Sequence, residues 1–367
     1  MVILVTGGAG FIGSWIVDEL VAEGHDIRVL DLLHPGAHRS TPGYLNPAVE
    51  YRWGDVADPA VARDAVDGVD AVCHQAAMVG LGVDFADVGA YVHHNALGTA
   101  LLLQALHERG FAGRLVVASS MVVYGEGDYR CVEHGPVRAD PRRRVDLEAQ
   151  HWEPWCPTCG AALEPVAVTE STPPDPRNVY AATKLHQEHL CFSWGIEHDA
   201  PVVALRYHNV YGPRMPRDTP YAGVASIFRS ALAAGRRPQV FEDGRQLRDF
   251  VHVRDVAHAN VLALRASRDV SGAFNVASGD PHTVLEMASR LAHAAPNSRV
   301  EPEVVSRFRL GDVRHVFGSP TAAADHLGFQ ASVRFAEGMK EFATAPLREG
   351  AEPSNCRQSK QTGGFVP

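Results

Sequence analysis

Tyr180 and Lys184 are the residues whose types and spacing point most directly to chemistry. They stand four apart in a stretch with helical periodicity, Val179 to about Trp194, so both side chains share one face. With nine tyrosines and three lysines in 367 residues, chance supplies about 0.07 such pairs. The other lysines are Lys340 and Lys360; arginine carries the rest of the basic charge. A lysine at this place therefore suggests a task that a guanidinium cannot fill. A compact ammonium stabilises a phenolate and lowers the phenol from its ordinary value of about 10. Such a phenol can take the proton of a hydroxyl group as hydride leaves the same carbon. Ser120, in the run Ser119-Ser120-Met121-Val122-Val123-Tyr124-Gly125, follows a strand pattern and can bind and relay that proton.

A hydride acceptor is implied near the N-terminus. Thr6-Gly7-Gly8-Ala9-Gly10-Phe11-Ile12-Gly13 links a strand, Val2–Thr6, to a helix, Phe11–Ala22. Glycine at this spacing permits a tight turn, close backbone approach to a pyrophosphate and close helix–strand packing. Free N–H groups at the helix start add partial positive charge. Asp31 stands 18 residues beyond Gly13, at the end of the second strand. A carboxylate there accepts from the adenosine ribose hydroxyls and repels a 2′-phosphate, which selects NAD over NADP. Asp55, in Gly54-Asp55-Val56, follows the third strand and can meet the adenine.

These residues need a frame. Strand patterns at 2–6, 26–30, 49–53, 71–74 and 114–119 alternate with helical patterns, including a long one over Tyr91–Glu108. Alternation predicts a doubly wound parallel α/β sheet of the Rossmann type. A strand over Val202–Tyr207 and helices over 224–234, 256–266 and 283–294 follow, with short strands near Val240 and Phe274. The expected organisation is an NAD-binding unit over 1–205 and a smaller mixed α/β substrate lobe over 206–346, some of whose segments return to the first unit. Residues 347–367, rich in Pro, Ser, Gln and Gly, read as a poorly ordered tail.

One segment breaks the pattern. From Tyr129 to about Val168 there is an arginine-rich, cysteine-bearing insertion with no clear period. Cys131 and His134 precede Cys156-Pro157-Thr158-Cys159-Gly160, with 21 residues between. The second group presents two thiolates from one tight loop, and the four side chains make a Cys₃His set with no open position. Structural zinc is the expectation, pinning a loop with little core of its own. Reduced thiols in a mobile loop are the alternative. Cys73, Cys191 and Cys356 carry no such spacing.

Composition bounds the rest. A hydrophobic fraction of 46% supports a large core, and a net charge of −9 argues against a nucleic-acid partner. No run approaches the roughly 18 apolar residues of a membrane span. The apolar Val2–Val5 leads straight into the glycine loop, without a basic leader. A cytoplasmic protein is expected.

Together, TGGAGFIG, the strand-terminal Asp31, His74-Gln75-Ala76-Ala77, Asn95-Ala96-Leu97-Gly98-Thr99, SSMVVYG, YAATK, Leu205-Arg206-Tyr207-His208-Asn209-Val210-Tyr211-Gly212-Pro213-Arg214 and Arg248-Asp249-Phe250-Val251-His252-Val253 resemble the extended short-chain dehydrogenases, and more narrowly the nucleotide-sugar epimerases. The resemblance runs from Met1 to about Thr344, outside the insertion. It implies Ser120, Tyr180 and Lys184 as catalytic residues. It implies cofactor contacts at Gly7, Gly10, Phe11, Ile12, Gly13, Asp31, Asp55, Val56, Gln75, Ala76, Ala77 and Asn95, besides Tyr180 and Lys184. Ser120, Asn209, Arg248 and Arg314 would hold the substrate, the arginines gripping its diphosphate. His208 departs from the usual phenylalanine beside the sugar. A homodimer through the helices over 91–108 and 179–194 is implied as well.

Relatives that dehydrate carry an acid–base pair beside the serine, those that decarboxylate a Glu two before the Tyr-Gly, and those that enolise a Cys. Met121 and Val122 cannot exchange a proton, which leaves transient oxidation at C4. The insertion, the run His74 to Gly82 and Pro220-Tyr221-Ala222-Gly223-Val224 are similar to the dTDP-L-rhamnose 4-epimerases, which interconvert dTDP-L-rhamnose and dTDP-6-deoxy-L-talose. Epimerisation of a UDP-hexose or UDP-uronate, net oxidoreduction, and a non-catalytic NAD-sensing protein remain as alternatives. An intact Ser–Tyr–Lys set weighs against the last.

Overall fold

A computed structural model describes residues 1–80, 85–217, 223–296 and 300–348. The expected tail, Cys356, and the Leu81-Gly82 and Pro220–Ala222 parts of the quoted motifs lie outside the described residues.

Seven parallel strands form the central sheet: β1 (Val2–Thr6), β2 (Asp26–Asp31), β3 (Glu50–Trp53), β4 (Ala71–His74), β5 (Arg114–Ser120), β6 (Val202–Tyr207) and β7 (Gly272–Val276). Their order is β7-β6-β5-β4-β1-β2-β3, with the reversal beside β1. Side chains alternate across each strand, so Ile3 and Val5 face one side and Leu4 the other. The first side packs Val116, Val203 and Leu205 against Ile16 and Leu20 of the helix Phe11–Ala22 and Val256 of the helix Val253–Arg265. The second packs Val72, Leu115 and Val117 against Leu102 and Leu106 of Gly98–Glu108 and Trp194 of Val179–His198. Each such aliphatic burial contributes about 1.5–3 kcal/mol. Both faces are thereby covered, as parallel strands require.

The segment expected as one long helix over 91–108 is helical from Val88, but Val92–Leu97 is wound wider, as a π-helix. The strand near Phe274 and the helix over 253–265 are the later segments that return to the main sheet.

The smaller lobe is built on Asn209–Tyr211, Leu247–His252 and Pro281–Thr283, a three-stranded sheet. Helices Val224–Ala233, Val284–Ala294 and Phe335–Thr344 cover it, and Phe228, Met287, Leu291, Phe335 and Phe342 form its core. Thr283 caps the second of these helices by accepting from the Glu286 N–H at 3.0 Å.

The insertion is ordered. Gly135–Val137, Asp128–Cys131 and Glu164–Val166 form an antiparallel three-stranded sheet. One small buried apolar cluster, Tyr129, Cys131, Ala139, Cys156 and Leu163, backs this sheet. So small a core needs a further clamp.

Candidate active site

The C-terminal edge of the main sheet opens into a cleft of about 1400 Å³ that continues under the smaller lobe. That is room for two ligands of drug size, since one takes about 300–1,000 Å³. Here the strand order reverses, the place where open α/β sheets bind ligands.

The glycine loop supplies the floor at one end. Gly7 has φ 68°, and a Cβ on it would lie 2.8 Å from the backbone nitrogen of Ala76. A Cβ on Gly13 would collide with the Gly7 carbonyl. Glycine is therefore required for backbone, loop and helix to approach one another. Gly10 caps the helix without a side chain, which leaves N–H groups of its first turn for an anion. The Asp31 carboxylate, at the end of β2, accepts from Ala9 N–H at 3.0 Å and Leu33 N–H at 2.8 Å. Burial raises its pKa, against the pull of those donors and of Arg348. Gly7, Gly10, Phe11, Ile12, Gly13, Asp31, Asp55, Val56, Gln75, Ala76 and Ala77 all line the cleft. This cradle, closed to any side chain and bounded by a carboxylate, fits an adenosine diphosphate moiety.

Asn95 does not reach the cleft. Fully buried in the π-helical turn, its side-chain oxygen accepts from Met78 N–H at 2.7 Å, and its amide donates to Met78 O and Thr183 Oγ1, each at 3.0 Å. It shapes the 76–79 segment and offers nothing directly to a ligand.

Midway along the cleft stand Ser120, Tyr180 and Lys184. Ser120 ends β5. Tyr180 lies in the first turn of its helix, which Asn178 caps by accepting from Ala181 N–H at 2.8 Å. Lys184, 2% exposed, donates from Nζ to the Ala118 carbonyl at 3.0 Å. Ser120 is the hydrogen-bonding partner that pulls the Tyr180 phenol down, but burial dominates and pushes it up to about 12. Burial likewise lowers Lys184 to about 7. Burial thus works against the lowered phenol expected from the spacing. An ammonium held by one carbonyl in a dry site is itself reluctant to stay charged.

Beneath this trio lies a buried anchor. Glu188 accepts from Arg206 Nε at 2.9 Å and Nη2 at 2.8 Å, and from the Ser119 hydroxyl. Arg206 also donates to the Tyr124 hydroxyl at 3.0 Å, and Tyr124 to Asn275 at 2.7 Å. The anchor holds both ends of the 119–124 turn. His74, bracketed by Thr6 and Thr99 at 2.7 and 2.9 Å, is kept neutral by burial, its pKa near 3.

At the far end, Asn209 and Arg248 line the cleft. Arg248 donates to the carbonyls of Leu247 and Arg314 at 2.8 Å and of Val313 at 2.7 Å. Arg314 does not line it. Its side chain has no exposure, and its guanidinium donates to Glu153, Glu242 and Asp243. Three carboxylates occupy the fork that a diphosphate would need. Arg307 and Arg309 line the cleft instead, flanking the Phe241 ring at 5.6 and 5.3 Å. The legible signal was their period-2 spacing ahead of the Gly311 turn, which puts both on one face of an extended run.

In the insertion, the Cys131, His134, Cys156 and Cys159 ligand atoms lie within 4.8 Å of one another. Cys131 Sγ is 3.6 Å from Cys159 Sγ and 3.5 Å from His134 Nδ1, and Cys156 Sγ is 3.7 Å from His134 Nδ1. A tetrahedron with Zn–S near 2.3 Å has S···S edges of about 3.8 Å, whereas a disulfide needs about 2.05 Å. The donor set and its spacing fit a closed zinc site.

The NAD dependent epimerase/dehydratase family model matches residues 3–143 and 157–277. A dTDP-L-rhamnose 4-epimerase of Burkholderia thailandensis is 34% identical over 93% of this chain and 94% of its own. The NAD complex of a Thermus thermophilus UDP-glucose 4-epimerase is 31% identical, with a TM-score of 0.74 over 94% of this chain and 98% of that one. The Thermotoga maritima UDP-glucose 4-epimerase with UDP-glucose is 27% identical, with a TM-score of 0.76 over 94% and 97%. On a match of this breadth, over a cleft whose glycine cradle and Ser–Tyr–Lys trio stand where such chemistry needs them, the chain belongs to the NAD dependent epimerase/dehydratase family and is an NAD-dependent nucleotide-sugar epimerase.

Proposed function

We propose that this enzyme inverts C4 of a nucleotide-diphosphate sugar through a transient 4-keto sugar, and that its substrates are dTDP-L-rhamnose and dTDP-6-deoxy-L-talose. One observation carries the reading: next to Ser120, the cleft is lined by Met121 and Val122, with Met78 and Val79 also in its wall. None can move a proton, so the residues beside Ser120 offer no base for β-elimination or for enolisation at C5. The same apolar groups suit a C6 methyl group, whereas a C6 hydroxyl would lose water without gaining a partner. Similarity to the Burkholderia thailandensis protein favours the same sugar.

In this reading Tyr180 receives the C4 hydroxyl proton, with Ser120 bridging the two oxygens. Lys184, held on the Ala118 carbonyl, places positive charge beneath the phenol and offsets its burial. NAD⁺ would supply the acceptor and then the donor of the C4 hydride, so that no external oxidant is consumed. Asp31 holds the adenosine ribose, Asp55 meets the adenine, and the N–H groups at the start of the helix Phe11–Ala22 hold the pyrophosphate. Asn209, Arg248, Arg307 and Arg309 hold the substrate diphosphate and nucleotide. The ketone turns while this end stays gripped, and Tyr180 gives its proton back.

Cys131, His134, Cys156 and Cys159 hold structural zinc, which replaces the core the insertion lacks. The helices over 88–108 and 179–198 leave Val92, Leu97 and Ile196 exposed, and a second copy of the chain covers them in a homodimer. The protein works in the cytoplasm, where the thiolates stay reduced.

The test is incubation with a panel of dTDP-, UDP- and GDP-sugars without added NAD(H), following C4 inversion by proton NMR. Inversion of dTDP-L-rhamnose alone supports the full reading. Inversion of a UDP-hexose or uronate instead overturns the sugar assignment, and turnover only with added NAD(H) overturns epimerisation.

A further inference from the structure

We propose that the cysteine-bearing insertion is the positioning scaffold of the substrate-diphosphate clamp, acting through Arg142 and Glu153. The inference rests on the reading that Arg248 and Arg309 hold the diphosphate. Neither Arg142 nor Glu153 lines the cleft.

Residues 307–315 form a strap that carries Arg307, Arg309, Asp312 and Val313 along the cleft and then turns inward at Arg314 and His315. The strap forms no strand of its own; Arg307 is tied through its carbonyl to the Glu242 N–H, and from Phe308 to His315 the course is set largely by side chains. The insertion provides several of them, beside Glu126, Glu242 and Asp243, which also hold Arg314. Trp152 packs on Phe308 with ring centroids 6.3 Å apart. Arg142 donates to the Asp312 carbonyl at 2.6 Å while pairing with Glu242 at 2.9 Å, both side chains nearly inaccessible. Glu153 receives Arg314 Nε at 3.0 Å through one oxygen and His315 Nε2 at 2.8 Å through the other. Tyr129 meets the His315 N–H through its hydroxyl at 3.3 Å.

The consequence reaches the ligand end directly. Arg248 is oriented by the carbonyls of Val313 and Arg314; Arg142 holds the carbonyl of Asp312, the residue just before them, and Glu153 holds the Arg314 guanidinium. Glu153 thus holds Arg314, the Arg314 backbone holds Arg248, and Arg142 holds the turn that follows Arg309. Burial resists ionisation of Glu153, but its hydrogen bonds to His315 and Arg314 prevail and draw it down to about 2. Because the scaffold touches the strap and neither Ser120, Tyr180 nor the glycine cradle, its loss should weaken substrate capture and leave the chemical step and NAD retention intact.

The experiment compares Glu153→Gln, Arg142→Lys and Glu153→Ala with the wild-type enzyme, measuring kcat, KM for the nucleotide sugar, and NAD content per chain. Expected are KM values raised about tenfold in Glu153→Ala, less in the two conservative variants, with kcat within about twofold and NAD content unchanged. Circular dichroism establishes folding; should Glu153→Ala unfold, the two conservative variants decide. An unaltered KM, or a kcat that falls at constant KM, overturns the inference. Arg309→Ala serves as the separate arm. If it raises KM while the scaffold variants do not, only the scaffold is wrong; if it leaves KM unchanged, the diphosphate assignment itself fails.

Discussion

Lys184 and Ala118 are joined across the sheet: the ammonium of one donates at 3.0 Å to the carbonyl of the other, two residues before Ser120. The strand that presents the serine thus also fixes the lysine, one helical turn along from Tyr180. Because burial lowers Lys184 to about 7 from 10.5, the unfolded chain binds more protons than the folded one between those values. Stability from this residue is therefore fully present only above the unfolded value and is lost as pH falls towards 7. Denaturant titrations of wild type and Lys184→Met from pH 7 to 10 should show the wild type gaining on the variant as pH rises. A constant difference would remove the buried-ammonium account.

Tyr180→Phe keeps the ring and deletes the oxygen. Turnover should fall by about 10³-fold, within the range for loss of general acid–base transfer, with NAD content retained. NMR assay with the best sugar of the panel checks it, and near-normal turnover would reassign the proton to another group.

Glu188 and Arg206 form a buried pair, with side-chain exposures of 1% and 7%. Removing one charge leaves the other unpaired in a dry site. Glu188→Gln should lower stability by about 3 kcal/mol and displace Ser119 and Tyr124 with it. Urea unfolding measures the first effect, and a fall in kcat the second.

Asp31→Asn exchanges a charged acceptor for a neutral one. The variant should bind NAD about tenfold more weakly and NADP less poorly than wild type does. Fluorescence titration of cofactor-stripped protein tests both arms.

Metal analysis of protein purified without chelator should find about one zinc per chain, lost in Cys156→Ser together with a lower melting temperature. Absence of zinc from the wild-type protein would leave four thiol and imidazole groups gathered without a purpose.

Much of the chemistry was legible because it is local. Tyr180 and Lys184 share a face by helix pitch alone, and Gly7, Gly10 and Gly13 answer to one turn. The gathering of Cys131, His134, Cys156 and Cys159 was announced by loop spacing. Wherever a residue's role depends on partners far along the chain, spacing said nothing. Asn95 reads like a cofactor ligand until Met78 and Thr183 are seen to occupy its amide.

What the sequence by itself determined is therefore the frame and the candidate groups set on it: alternating strands and helices, a glycine cradle, a carboxylate after β2, a serine, tyrosine and lysine brought to one cleft. What only the tertiary structure decided is which cations are free to meet an anion. Arg309 and Arg314 are five residues apart and chemically identical, yet Glu153, 161 residues earlier, meets the second and leaves the first to the cleft. A guanidinium's function is set by the charges that reach it first, and those contacts exist only once the chain has folded.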